Sequence, residues 1–256
     1  MDMQTLSEHD RRDHPAADWT RIGMIVPSSN TVLEPVTARL LHGMDGTVSA
    51  HFARLKVLEI SLSEASRDQF SRAPVLAAAR QLVDAKCDVI AWNGTSASWL
   101  GLETDEALRA AIESETGIAA TTTSLCFRDA YQALGVTRLG LITPYTDDVQ
   151  SKIVANYEAM GLPVVAERHL GDKGNFSFAE YSGDLVADLV RAVAAHGPEA
   201  ISVVCTNFRG ADHAAALEAE LGIPVLDSVA VTLWGCLRRA GVDTKPLAGN
   251  GRLFSL

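Results

Sequence analysis

The feature that most constrains this chain is that it repeats itself. Arg21-Ile22-Gly23-Met24-Ile25-Val26-Pro27-Ser28 lines up with Arg138-Leu139-Gly140-Leu141-Ile142-Thr143-Pro144-Tyr145. Further on, Gly94-Thr95-Ser96 lines up with Cys205-Thr206-Asn207, and Glu115-Thr116-Gly117-Ile118 with Glu220-Leu221-Gly222-Ile223. The offset shrinks from 117 to 111 to 105 residues, as small deletions in the second copy would produce. Two units are too few for a stable stacked array, so a two-part solenoid is the weaker reading. A pair of related lobes is the stronger one.

Within each copy, short apolar runs alternate with stretches of helical periodicity. The first copy has candidate strands at 21–26, 50–57, 88–92 and 118–122. Between and after them lie candidate helices at 31–41, 74–85, 104–116 and 125–134, the last two closed by Gly117 and Gly135. The second copy has strands at 138–143, around Val164-Val165 and at 200–204, with helices at 146–160 and 182–195. Such alternation is the signature of an α/β fold in which helices cover a parallel sheet. The expectation is two pseudo-symmetric lobes, each a parallel sheet flanked by helices, with an active site in the cleft between them. Residues 21–136 form the first lobe and 137–256 the second, preceded by an N-terminal arm over 1–20.

Composition removes several function classes. The formal net charge of −10 argues against a nucleic-acid or anionic-membrane surface. A local site rich in N–H donors still suits a small anion. No apolar run reaches the length of a membrane span, and the polar N-terminus lacks the apolar core of a signal peptide. The four cysteines, Cys87, Cys126, Cys205 and Cys236, form no CxxC, and no histidine pair has metal-ligand spacing. Such usage suits a reducing, cytoplasmic setting. No metal or cofactor is expected: no dinucleotide or phosphate-binding glycine motif follows a strand. Ser28, Ser96 and Ser98 lack His and Asp partners for a serine hydrolase. His51, His169 and His213 are isolated. The N-terminal arm points to a homo-oligomer.

What remains is a set of loops at strand ends. Ser28 and Asn30 follow the first strand; Gly94, Thr95 and Ser96 follow the third. Tyr145, Cys205, Thr206 and Asn207 occupy the matching places in the second copy, and Asn175 closes a glycine-rich loop. Ligands of open α/β sheets sit just beyond the carboxyl ends of strands. Nearly all of these residues are neutral hydrogen-bond donors, suited to a small carboxylate and to the enediolate formed when charge moves onto it. Two readings stand for Cys205, a buried core thiol or a proton carrier or nucleophile. Its place opposite Gly94-Thr95-Ser96 favours the second. Helix N-terminal N–H groups would then lower its pKa and leave it partly ionised. Tyr145 reads as a site residue or a core aromatic, and Asn175 as a substrate contact or a turn former.

At these loops the sequence resembles the aspartate/glutamate racemase superfamily, whose members have two related α/β lobes. Pro27-Ser28-Ser29-Asn30-Thr31-Val32-Leu33-Glu34 is similar to the opening signature of its maleate cis–trans isomerases, and Thr143-Pro144-Tyr145 and Cys205-Thr206-Asn207 to their later motifs. Where those isomerases and the racemases carry a first-lobe cysteine, this chain has Gly94. Gly94-Thr95-Ser96 instead resembles the loop of arylmalonate decarboxylases. That resemblance implies a cofactor-independent enzyme acting on a small carboxylate. Thr95, Ser96 and Tyr145 would hold a carboxylate as it becomes an enediolate, and Cys205 would deliver the proton. Asn30 and Asn175 would hold the other end of the substrate. The alternatives it implies are a maleate-isomerase-like cis–trans isomerase or epimerase, including one in ectoine or hydroxyectoine degradation by likeness to the ectoine-utilisation proteins. A carboxylate-binding protein without turnover is the reading from a different class.

Overall fold

The computed structural model describes residues 19–63 and 71–256. The expected N-terminal arm falls outside the described residues, positions 19 and 20 aside. The first half runs β1 (Thr20–Pro27), α1 (Leu33–Leu40), β2 (Val48–Leu55), α2 (Arg72–Asp84), β3 (Val89–Trp92), the single-turn α3 (Ala97–Leu100), α4 (Leu102–Thr116), β4 (Ala119–Thr122) and α5 (Thr123–Leu134). The second half runs β5 (Leu139–Thr143), α6 (Asp147–Ala159), β6 (Val164–His169), α7 (Gly183–Ala194), β7 (Ala200–Val203), α8 (Ala214–Leu221), β8 (Val225–Asp227) and α9 (Ser228–Arg239).

Each half builds a four-stranded sheet, and the two have the same order, β2-β1-β3-β4 and β6-β5-β7-β8. All pairings are parallel. The sequence repeat is therefore a repeat of topology. The inner strands are covered on both faces, which is why they read as unbroken apolar runs: Val89–Trp92 and Leu139–Thr143 are buried throughout. Gly117 (φ 70°) and Gly135 (φ 66°) end α4 and α5 in the left-handed conformation that glycine adopts without a Cβ penalty. The starts of α5 and α9 are capped alike. Thr122 Oγ1 accepts from Leu125 N, and an Asp227 carboxylate oxygen accepts from Val229 N and Ala230 N.

The closing helix of each half leaves its own sheet. Helix α9 packs on α1, β3 and β4 of the first half and against α5. From α5, the Tyr131 hydroxyl reaches Ser202 Oγ in β7 at 2.9 Å and stands beside Tyr157 of α6. The two crossing helices meet where Thr123 Oγ1 and Thr232 Oγ1 lie 2.8 Å apart. Gly235 lets them approach so closely that a Cβ there would run into Cys126 Sγ. This exchange ties the two halves together.

In a 2-1-3-4 sheet the connections diverge between the two central strands, and a crevice opens beyond their carboxyl ends. Strands β1 and β3 end at Pro27 and Trp92; β5 and β7 end at Thr143 and Val203. All four site loops thus leave switch points. Among the described residues, no helix is long and apolar enough to cross a membrane.

Candidate active site

The four loops enclose a cavity of about 20 Å³ lined by Pro27, Val57, Ile60, Gly94, Thr95, Ser96, Trp99, Tyr145, Asn175, Cys205 and Thr206. That is room for one water. The segment after β2 closes it. Ile60 N donates to the Lys173 carbonyl (3.0 Å), Glu59 bridges Gly174, and Asn175 N donates to the Leu58 carbonyl (3.4 Å). These contacts fasten the segment beside the cavity.

Inside, groups from both halves meet. Thr95 Oγ1 lies 2.7 Å from the Tyr145 hydroxyl. The Cys205 thiol lines the same cavity, close enough to the Tyr145 hydroxyl for each to influence the other's ionisation. The Tyr145 ring is held edge-on by Trp99 on one side (centroids 5.3 Å) and Phe178 on the other (5.5 Å). Tyr145 is 2% exposed and Cys205 3%.

The expectation that helix N–H groups ionise Cys205 does not hold. No helix starts at its position: a turn and the short 3-10 turn Gly210–Asp212 intervene before α8 begins at Ala214. Burial pushes the thiol up to about 12, outweighing the Asn207 N–H and Tyr145 hydrogen bonds. Burial likewise holds the Tyr145 hydroxyl well above its ordinary value. Burial thus favours the neutral form of both in the closed site.

Not every expected site residue lines the cavity. Gly94, Thr95, Ser96, Tyr145, Asn175, Cys205 and Thr206 do. Ser28, Asn30 and Asn207 lie behind them. Asn30 Oδ1 accepts from Val32 N (3.0 Å) and Leu33 N (2.9 Å), opening α1, while its Nδ2 donates to Thr206 Oγ1 (3.1 Å). Asn207 Oδ1 takes Thr31 N (2.9 Å) and Val32 N (3.2 Å) from the other half, and its Nδ2 donates to the Asn175 carbonyl (2.6 Å). Thr206 Oγ1 in turn donates to the Asn93 carbonyl (3.2 Å), and Asn175 Nδ2 to Ser29 Oγ (2.8 Å). Ser28 Oγ accepts from Val57 N at 3.3 Å. These amides bond backbone and hydroxyl groups of the opposite half, and so tie the lobes together. Sequence reasoning missed Val57 and Ile60 as cavity walls: the strand expected to end at Val57 stops at Leu55, and Ile60 falls in no expected element.

Of the four free cysteines, all buried, only Cys205 lines the cavity. At the matching strand end stands Gly94. Residues 22–254 match the arylmalonate decarboxylase family. The chain belongs to that family. Arylmalonate decarboxylase of Bordetella bronchiseptica is 31% identical over 243 residues, covering 93% of this chain and 98% of the relative. Maleate isomerase of Geobacillus stearothermophilus is 24% identical over 245 residues, covering 90% and 96%. A solved arylmalonate decarboxylase double mutant, with a glycine-to-cysteine and a cysteine-to-serine exchange, superposes with a TM-score of 0.79 at 28% identity over 92% of this chain and 98% of that one. The fold is shared with maleate cis–trans isomerase of Nocardia farcinica, TM-score 0.83 at 23% identity over 92% and 98%. That structure is a cysteine-to-serine mutant with a covalently bound succinylcysteine intermediate. This chain thus has relatives of both kinds, an arylmalonate decarboxylase and maleate isomerases.

Proposed function

We propose that this chain decarboxylates a malonate-type dicarboxylate whose α-carbon carries a group able to stabilise an enediolate, such as an aryl ring. The observation that carries this reading is one buried cavity lined by the hydrogen-bonded Thr95–Tyr145 pair, by Ser96 and by a single thiol, Cys205. One carboxylate sits among Thr95, Ser96 and Tyr145. The other leaves as CO2, and the electron pair of its C–C bond passes into the first carboxylate, giving an enediolate. Neutral donors fixed in a buried site stabilise that developing charge without reorganising. Cys205 S–H then protonates the α-carbon, and the thiolate left behind takes a proton from solvent. One dicarboxylate and one proton give one monocarboxylate and CO2, by groups of this chain alone.

Isomerisation through a covalent adduct asks for a different state of the thiol. A succinylcysteine forms by attack of sulfur on the double bond, for which the thiolate is the nucleophile. Burial at Cys205 favours the thiol, the form a proton donor needs. The test is incubation in heavy water with phenylmalonate, methylmalonate, maleate, aspartate and an ectoine-derived amino acid, with Cys205→Ala alongside. The expected result is phenylacetate carrying one solvent deuteron at the α-carbon, absent with the variant. Fumarate from maleate without deuterium would replace this reading by the isomerase one. Binding without turnover would replace it by a carboxylate-binding role.

A further inference from the structure

Trp92 ends β3, two residues before Gly94, and is 1% exposed. Its neighbours in register are Ile25 of β1 and Thr122 of β4, and its carbonyl receives the Thr123 hydroxyl at 3.4 Å. A Cβ built on Gly94 would run into Cζ2 and Cε2 of the Trp92 indole and come within 2.6 Å of its Nε1. Real Cβ atoms do not approach other heavy atoms that closely, and a fully buried indole on an inner strand has no open space to swing into. The φ of Gly94 is not positive, so backbone conformation does not demand glycine there. The three atoms nearest to such a Cβ all belong to the indole.

We infer that Trp92 is the residue that restricts this site to one thiol: its indole takes the space of any side chain at position 94. The repeat makes position 94 the counterpart of Cys205, the place from which a second thiol would face it across the cleft. An acid and a base on opposite faces of a carbon are what α-proton exchange with inversion requires. With one face bare, a product protonated by Cys205 keeps its configuration. Positions 92 and 94 are therefore coupled. A thiol enters position 94 only when the indole is exchanged for something smaller. The consequence for catalysis rests on the decarboxylase reading; the steric coupling does not.

A double-mutant cycle separates the two. Melting temperatures are compared for wild type, Gly94→Ala, Trp92→Leu and the W92L/G94A pair, leucine being chosen to keep an apolar filling. Gly94→Ala is expected to lower Tm by roughly 5 °C or more in the wild type, and by far less in the Trp92→Leu background. No loss in the wild type, or an equal loss in both backgrounds, overturns the steric claim. If Trp92→Leu fails to fold, Trp92→Phe serves as the smaller step, and the Gly94→Ala loss should then shrink in part. The catalytic claim is read from 2-phenylpropionate in heavy water. W92L/G94C is expected to exchange the α-proton and racemise the acid, while wild type and Gly94→Cys do not. Exchange by Gly94→Cys equal to that of W92L/G94C would show that the indole sets no limit. Phenylmalonate turnover by the wild type is measured in parallel. Its absence counts against the decarboxylase reading and leaves the Tm cycle to judge the coupling.

Discussion

Thr95 Oγ1 and the Tyr145 hydroxyl stand 2.7 Å apart although they come from opposite lobes, 50 residues distant in sequence. Neither strand end alone brings the two hydroxyls together; the closed cleft does. Removing either hydroxyl leaves the other without its partner in a dry site. Tyr145→Phe, which keeps the ring between Trp99 and Phe178, should lower kcat by about 10²-fold while the protein still folds. Steady-state kinetics on phenylmalonate measures this. An unchanged kcat would remove Tyr145 from the reaction.

Much of this architecture was written in the residues. The apolar runs gave the strands, Gly117 and Gly135 marked where α4 and α5 stop, and the match of Arg21–Ser28 to Arg138–Tyr145 anticipated two sheets of one topology. What local pattern could not carry was which surface each helix covers. Helices α5 and α9 are amphipathic in the same way whether they face their own sheet or the other. Helix α3 was hidden in a loop, since four residues show no period. Asn30 and Asn207 looked like ligand contacts because an amide that faces a cavity and one engaged across the cleft have the same one-letter code. Their partners, Thr206 and the N–H groups of Thr31 and Val32, lie across the cleft.

Cys205 should react slowly with iodoacetamide near neutral pH. With its thiol pushed up to about 12 by burial, the thiolate population at pH 7–8 is on the order of a thousandfold below that of an unperturbed cysteine. Mass-spectrometric alkylation rates between pH 6 and 10 test this. A fast reaction at pH 7 that substrate suppresses would mean that the thiol ionises and is nucleophilic, contrary to a proton-donor role.

Ile60, 5% exposed, is a wall of the cavity and part of the segment that closes it. Ile60→Ala should admit larger α-substituents. The ratio of kcat/KM for a naphthyl over a phenyl malonate is expected to rise about 10-fold, with some loss of Tm from the deleted methyl groups. An unchanged ratio would place the substituent elsewhere.

Asp105 of α4 is 2% exposed, and burial raises its carboxyl to about 7, against the hydroxyls of Thr122 and Ser124, which lower it. An acid with a folded pKa above its unfolded value of 3.8 binds a proton on folding between the two. Stability is therefore greatest below about pH 4, falls as pH rises to about 7, and stays reduced above that. Asp105→Asn removes the penalty. Relative to wild type its Tm should gain between pH 4 and 7 and hold that gain at pH 8. A difference independent of pH would show that Asp105 is ionised without cost.

The most direct test of the central claim uses a prochiral substrate, 2-methyl-2-phenylmalonate, in heavy water, with the product resolved on a chiral column. A single neutral thiol on one face of an enediolate delivers its proton from that face only. The account predicts 2-phenylpropionate carrying one α-deuteron with one enantiomer in large excess, and none formed by Cys205→Ala. A racemic deuterated product, or an unchanged yield from the variant, would contradict it, because the proton would then come from solvent or from another group.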